Sequence, residues 1–391
     1  MSRPQSPSTA AKAAAVSGAN IPRLRLVKPT DLTDADQLRW DELADCAPEA
    51  GPFAQPWFIR PSLHHCDPAG EALLAIIEAN DGAWLGVLPV SKAWSYGRIP
   101  FPHWQAWRHP NMFSAALLIR AGAERLFWEG LIVGLERAAP ARPAIRLYDL
   151  PCDAASTQAV LGLCADQDRP VKLDRKRARA MLSGDEDGKD PGPSSETRRR
   201  IASLERKLAR LYGPLVFATA HDATAMRGLV GAFLALEHAG WKGRAGSALS
   251  CDAANQAFFQ EVVAAGAAAQ AIEIATLHAG PKLVAMSAHF TGVGGWGYGF
   301  KTAFDETASA GAPGIHLLCR LTDHFRGQGL APFDSCSAPE QQPISKLWPT
   351  RREFIDCGVA LGKAAGQSAF RMLAFCEDLA RSSRGQTLRK A

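Results

Sequence analysis

Residues 284–325, VAMSAHFTGVGGWGYGFKTAFDETASAGAPGIHLLCRLTDHF, carry the strongest local pattern in the chain. Leu283 to Phe290 is a run of apolar and aromatic residues, Gly292 to Gly295 supplies a turn, and Trp296 to Phe304 returns as a second strand-like run. The pattern predicts a β-hairpin. Asp305 and Glu306 then open a loop of small residues that ends at Ala312-Pro313-Gly314, after which Ile315, Leu317, Leu318, Leu321 and Phe325 recur at helical spacing. Proline suits the first turn of a helix, where a missing N–H is no loss. A strand feeding such a helix start leaves backbone N–H groups that can hold an anion such as a diphosphate.

One competing motif overlaps the turn. Gly292-x-Gly294-x-x-Gly297 has the dinucleotide-binding spacing, but that fingerprint requires a preceding strand, a following helix and a downstream acidic residue. Here a strand follows, so the glycines are read as a hairpin turn.

The motif Lys301-Thr-Ala-Phe-Asp305-Glu followed by Pro313-Gly314-x-His316-Leu317 resembles the second half of the two-domain GNAT acyltransferases of the cellulose-biosynthesis type, distant relatives of the FemABX transferases. Leu236-Glu237-x-x-Gly-Trp241-Lys242-Gly243, Asp334-Ser-Cys336 and Leu347-Trp348-x-x-Arg351-Arg352 extend the resemblance, which covers residues 24 to 362. It implies an α/β (α+β) fold of two tandem GNAT-like domains, each a mixed, mostly antiparallel sheet flanked by helices. It further implies acetyl-CoA or another acyl-CoA as co-substrate, no metal, and an amine-bearing small molecule or sugar as acceptor, in the setting of exopolysaccharide or cell-envelope biosynthesis. Pro313, Gly314, Ile315 and His316 would hold the coenzyme diphosphate through backbone groups. Trp241, Lys242, Trp348, Arg351 and Arg352 would border the acceptor, arginine being suited to phosphate or carboxylate.

A GNAT-type transfer needs proximity, a polarised carbonyl and a proton acceptor. The base would come from His289, Asp305, His316, Asp334 or Glu237, and spacing alone singles out none of them. Lys301 and Asp305 carry the family-like motif, either as catalytic groups or as an ion pair holding the loop. Two other classes fit the same residues. One is a FemABX-like transferase that takes its donor from aminoacyl-tRNA; the other is a non-catalytic binding protein of a polysaccharide pathway.

Composition agrees with this reading. A chain of 391 residues exceeds one ordinary core and fits two domains. At 47% hydrophobic and 21% charged it is of globular type, and a formal charge of +5 does not by itself indicate a nucleic-acid partner. Nine cysteines without any C-x-x-C pair argue for reduced thiols in a cytoplasmic setting. No segment reaches the roughly 18 uninterrupted apolar residues of a membrane span.

The expected organisation is a disordered tail (1–21), a first domain (22–165), a basic segment with a flexible linker (166–195), a second domain (196–362), and a helix with a basic tail (363–391). Within the first domain, 73–78 and 84–90 read as a hairpin across Asn80-Asp81-Gly82, and Tyr96 to Pro110 as an aromatic connector packed over the core or a loop lining an acceptor pocket. Residues 172–179, with five cations in eight positions, read as a solvated face, or as contacts for an anionic substrate or the 3′-phosphate of coenzyme A. Glu196 to Tyr212 reads as an amphipathic helix with a basic outer face.

Overall fold

The computed structural model describes residues 21–184, 193–337 and 342–387. The expected tail, up to Asn20, lies outside the described residues, as do 185–192 of the expected linker and the last four residues.

In chain order the first half contains β1 (Arg23–Val27), α1 (Asp34–Asp45), α2 (Pro56–Cys66), β2 (Leu73–Glu78), β3 (Trp84–Tyr96), β4 (Ile99–Ala106), β5 (Leu118–Ile119), α3 (Glu124–Ala138), β6 (Ala144–Pro151) and α4 (Ala155–Asp166). Then come β7 (Val171–Leu182), α5 (Ser195–Tyr212), β8 (Leu215–Ala220), α6 (Ala223–Ala239), α7 (Trp241–Arg244), α8 (Ala253–Ala268), β9 (Ile272–Ala279), β10 (Lys282–Val293) and β11 (Trp296–Phe304). The chain closes with α9 (Pro313–Gly327), β12 (Phe333–Asp334), α10 (Gln342–Leu347), β13 (Thr350–Ala360) and α11 (Ala364–Thr387).

All the strands join one sheet in the order β1-β2-β3-β4-β6-β13-β7-β12-β11-β10-β9-β8, with β5 added beside β3. This is a mixed α/β architecture with helices on the sheet, as expected. Pairing is antiparallel except between β4 and β6 and between β11 and β12. The β10–β11 hairpin forms with Val293 opposite Trp296, so Gly294 and Gly295, both at positive φ, make the turn. The expected 196–362 boundary places β13 with the second half. Its hydrogen-bonded neighbours are β6 and β7, at the centre of the whole sheet.

Two segments differ from the sequence expectation. Tyr96 to Pro110, expected as a connector, is a hairpin instead: β3 runs on to Tyr96 and β4 pairs back with it. Residues 172–179, expected as a solvated basic segment, lie in β7, between β13 and β12. So charged a strand is tolerated there because β13 brings a carboxylate to its cations. Lys176 pairs with Glu353 at 2.9 Å and Arg177 with Asp356 at 3.2 Å.

The halves share a core. One buried cluster takes Trp40, Phe58, Trp84 and Trp107 from the first half and Phe233, Phe258, Phe290 and Phe300 from the second. Phe53 sits at its centre, with its ring edge-on to Phe58 (5.1 Å), Phe113 (5.7 Å), Phe290 (5.7 Å) and Tyr298 (6.5 Å). Replacing Phe53 with Ala removes a ring that touches both halves and is expected to cost about 3–5 kcal/mol. The check is the denaturant midpoint followed by tryptophan fluorescence; a midpoint shift equivalent to less than about 1 kcal/mol contradicts a shared core.

Candidate functional site

The parallel pair β11 and β12 has only two rungs, Gly297 opposite Phe333 and Tyr298 opposite Asp334. β12 ends there, while β11 continues to Phe304 with no strand paired to that edge among the described residues, and Lys242 donates to the Thr302 carbonyl at 3.2 Å. Both glycines at the junction are required by close approach. A Cβ at Gly297 would overlap the Phe333 ring, and one at Gly299 the Ser335 carbonyl. The opened edge forms a cavity of about 640 Å³, within the ordinary range for ligand sites.

Its walls differ in chemistry. On the α9 side they are apolar, from Leu317, Leu321, Phe325, Phe333, Ile344 and Trp348. On the β7 side they carry Asp149, Arg175, Arg177 and Arg179, and the floor adds Ser287, His289 and Lys301. Trp241, 55% exposed, and Lys242 stand at the rim.

At the mouth of α9, Ala312 adopts a left-handed conformation (φ 52°) and Pro313 opens the helix. The Ile315 and His316 N–H groups both turn back to the Ala312 carbonyl, at 3.0 and 3.4 Å. Among the described residues no hydrogen bond uses the Gly314 N–H, and Gly314 borders the cavity. The four residues expected to bind a diphosphate therefore differ in position. Gly314 faces the cavity, whereas Pro313, Ile315 and His316 are not part of its lining. His316 is buried, which lowers its pKa.

His289 is 1% exposed and lies directly across the ladder from Glu273, itself 0% exposed. Its Nε2 is 3.3 Å from Glu273 Oε1. His324, from α9, reaches the same oxygen at 2.9 Å, and His221, 64% exposed just past β8, reaches Oε2 at 3.2 Å. A buried carboxylate is thus surrounded by three imidazoles in a row that leads from the cavity floor to solvent. Burial pushes Glu273 up, but the hydrogen bond and charge of His289 and His324 outweigh it and hold the carboxyl below its usual value. Burial pushes the His289 imidazole down more than Glu273 can restore. Neither ring nitrogen of His289 makes a hydrogen bond of full geometry among the described residues; Nε2 is the one that faces Glu273.

Lys301 donates to the Asn111 side chain at 2.6 Å and lies near the Phe113 and Phe300 rings. Burial, and then the neighbouring charge of Lys242, push its ammonium down to about 8. It does not pair with Asp305, which binds Lys282 at 2.8 Å and the Thr307 N–H at 2.8 Å, outside the cavity lining. Glu237 is buried beneath the rim, held by Lys242 at 2.6 Å and the Leu249 N–H at 2.8 Å. Asp334 is buried at the last rung, accepting from the Cys336 N–H at 2.8 Å and facing Arg179 at 3.5 Å. Burial raises its pKa, against the pull of Arg179.

The arginine pair lies elsewhere. Arg351 donates to the Trp348 carbonyl at 2.6 Å and the Ser345 carbonyl at 3.2 Å. Arg352 pairs with Asp153 at 3.1 Å and stacks over Trp296. Neither enters the cavity lining, whereas Trp348 does. Of the residues singled out in the sequence, the cavity collects His289, Lys301, Trp241, Lys242, Gly314 and Trp348. Glu273, His221 and His324 were missed because only strand register brings them together. The i, i+2, i+4 spacing of Arg175, Arg177 and Arg179 was a strand signal that the charge density obscured.

A family model described as an acetyltransferase (GNAT) domain matches residues 195–341. The crystal structure of FemX is similar at a TM-score of 0.54 and 11% identity, covering 86% of this chain and 98% of that one. A C-terminal domain (DUF2156) ascribed to a lysylphosphatidylglycerol synthetase of Agrobacterium fabrum is similar at a TM-score of 0.52 and 13% identity, covering 86% and 95%. A comparison with curated proteins finds no match. The chain therefore has a GNAT fold. No helix among the described residues is long and apolar enough to cross a membrane.

Lys301 gives a direct check on the cavity's electrostatics. Its folded pKa lies below the ordinary 10.5, so between about pH 8 and 10.5 the unfolded chain holds the proton that the folded chain has released. This group then adds stability as pH rises through that window. A lysine side-chain NMR titration is expected to place its midpoint at about 8, and Lys301→Met to remove the rise. A midpoint near 10.5 contradicts the burial.

Proposed function

We propose that the protein is an acyltransferase that moves an acyl group from acyl-CoA, acetyl-CoA being the simplest donor, to the amine of a small molecule or sugar held in this cavity. The observation that carries the reading is the opened β11 edge. An edge strand whose N–H groups are not taken by a neighbour can hydrogen-bond the amides of an extended donor arm and polarise its carbonyl. The Gly314 N–H at the start of α9 suits the donor's diphosphate. The apolar α9 wall suits the thioester end.

In this reading the acceptor amine attacks the thioester carbonyl, forming the new C–N bond, and the C–S bond breaks with the thiolate leaving. The amine proton goes to His289 Nδ1. Glu273 keeps the other ring nitrogen protonated and offsets the imidazolium charge, while His324 and His221 lie beyond it toward solvent.

A second reading takes the donor from aminoacyl-tRNA. The likeness to FemX favours it, as does the basic face of α5, with Arg198, Arg199, Arg200 and Arg206. Thiol release measured over a panel of acyl-CoAs and amines, with charged tRNA as competitor, separates the two. Turnover with acyl-CoA untouched by tRNA supports the first, and activity only with charged tRNA the second.

His289→Gln is expected to lower kcat by about 10²–10⁴-fold while leaving donor affinity within about twofold. The acid limb of the wild-type rate profile should lie below pH 6.5, because burial keeps the ring unprotonated to lower pH. An unchanged kcat in the variant removes His289 from the chemistry.

A further inference from the structure

The β7 wall of the cavity has more positive charge than its carboxylates neutralise. Arg175, Arg177 and Arg179 are alternate residues of one strand, so their side chains share a face at intervals of about 7 Å. Asp149 meets them from the end of β6, with a left-handed backbone (φ 55°) fixed by its N–H donating to Asp356 at 2.8 Å. Its carboxylate is shared among Arg177, Arg179 at 3.0 Å and Arg108 at 3.4 Å. Asp356 takes a second contact from Arg177, and Asp334 faces Arg179. That accounts for every carboxylate on this wall.

Two cations of the lining then have no ion pair among the described residues: Arg175 and Lys301. A third group is under-used. Arg179 is 5% exposed, yet its Nη1 makes no hydrogen bond, and the Asp334 oxygen it faces makes none either. Arg175 is exposed at the cavity, Lys301 is half-buried and Arg179 is buried; a buried cation without its full complement of partners is unfavourable, and an anion that enters the cavity can pair with these groups. Guanidinium groups spaced along a strand suit a planar carboxylate or a phosphate.

We infer that this wall is an anion subsite and that the acceptor carries a carboxylate or phosphate besides its amine. The inference rests on the acyl-transfer reading only in calling the occupant the acceptor. The donor arm lies along β11 and the mouth of α9, and the anionic end of the acceptor is seated against Arg175 and Lys301. This position would direct the amine toward His289.

The test is calorimetry on the full chain without any acyl donor, using glucosamine, glucosamine 6-phosphate and muramic acid as probes. At least one of the two anionic amino sugars should bind about tenfold or more tighter than glucosamine, and whichever binds tighter identifies phosphate or carboxylate. Arg175 makes no ion pair whose loss would unfold the protein, so Arg175→Gln should keep its thermal midpoint and lose most of the preference. Excess desulfo-coenzyme A should leave the preference in place.

Four results would overturn the proposal: equal affinity for charged and neutral sugars, no binding of either anion, a preference that persists in Arg175→Gln, or displacement of the anion by desulfo-coenzyme A. The last would assign the arginines to the donor. Since no donor is present in the main titration, a protein that transfers nothing can still show the preference. Equally, one that acylates neutral amines can lack it.

Discussion

The interruption of the sheet between β11 and β12 is the constraint on which the site depends. Two rungs of parallel pairing hold the strands together at Gly297 and Tyr298, and the absence of side chains at Gly297 and Gly299 lets Phe333 and the Ser335 carbonyl approach. Past that point no strand among the described residues pairs with β11 on that edge. An edge in the middle of a sheet would ordinarily be an unsatisfied row of backbone groups, costly if buried dry and prone to pairing if exposed. Here it is kept open by α9, whose apolar face packs on β10 and β12 through Phe325 and Phe333. The cavity follows from these packing requirements.

The second organising fact is that the halves are fused. β13 pairs with β6 and β7 at the centre of the sheet, and aromatic residues from both halves interlock around Phe53. The charged wall of the cavity is built across this junction, because Asp149 comes from β6, the arginines from β7 and Asp356 from β13. A site made from three separate stretches of chain keeps its geometry only while the whole sheet is intact. Its ionic network is also buried enough that removing one member would leave another charge uncompensated.

Local pattern made part of this legible. The β10–β11 hairpin and the helix that starts at Pro313 are set by turn glycines and apolar periodicity, and they fold as expected. β7 was obscured because its five cations in 172–179 match the composition of a solvated loop; the carboxylates that make it a strand lie some 180 positions on, in β13. The Glu273 cluster was hidden for a similar reason. His221, Glu273, His289 and His324 are far apart in the chain, and only the register of β8, β9 and β10 with α9 above them makes them neighbours. The α9 mouth was overestimated as an anion cradle, since two of its N–H groups fold back on Ala312. Sequence indicated where the helix starts but not how its first turn closes.

The site proposed here works only if the open edge of β11 receives the donor. In a crystal structure of the full chain with a thioether analogue of acetyl-coenzyme A, the analogue's amides should be hydrogen-bonded to the β11 backbone between Gly299 and Phe304, with its diphosphate at the Gly314 N–H. An analogue bound elsewhere, or a β11 edge paired with another part of the chain, would contradict it.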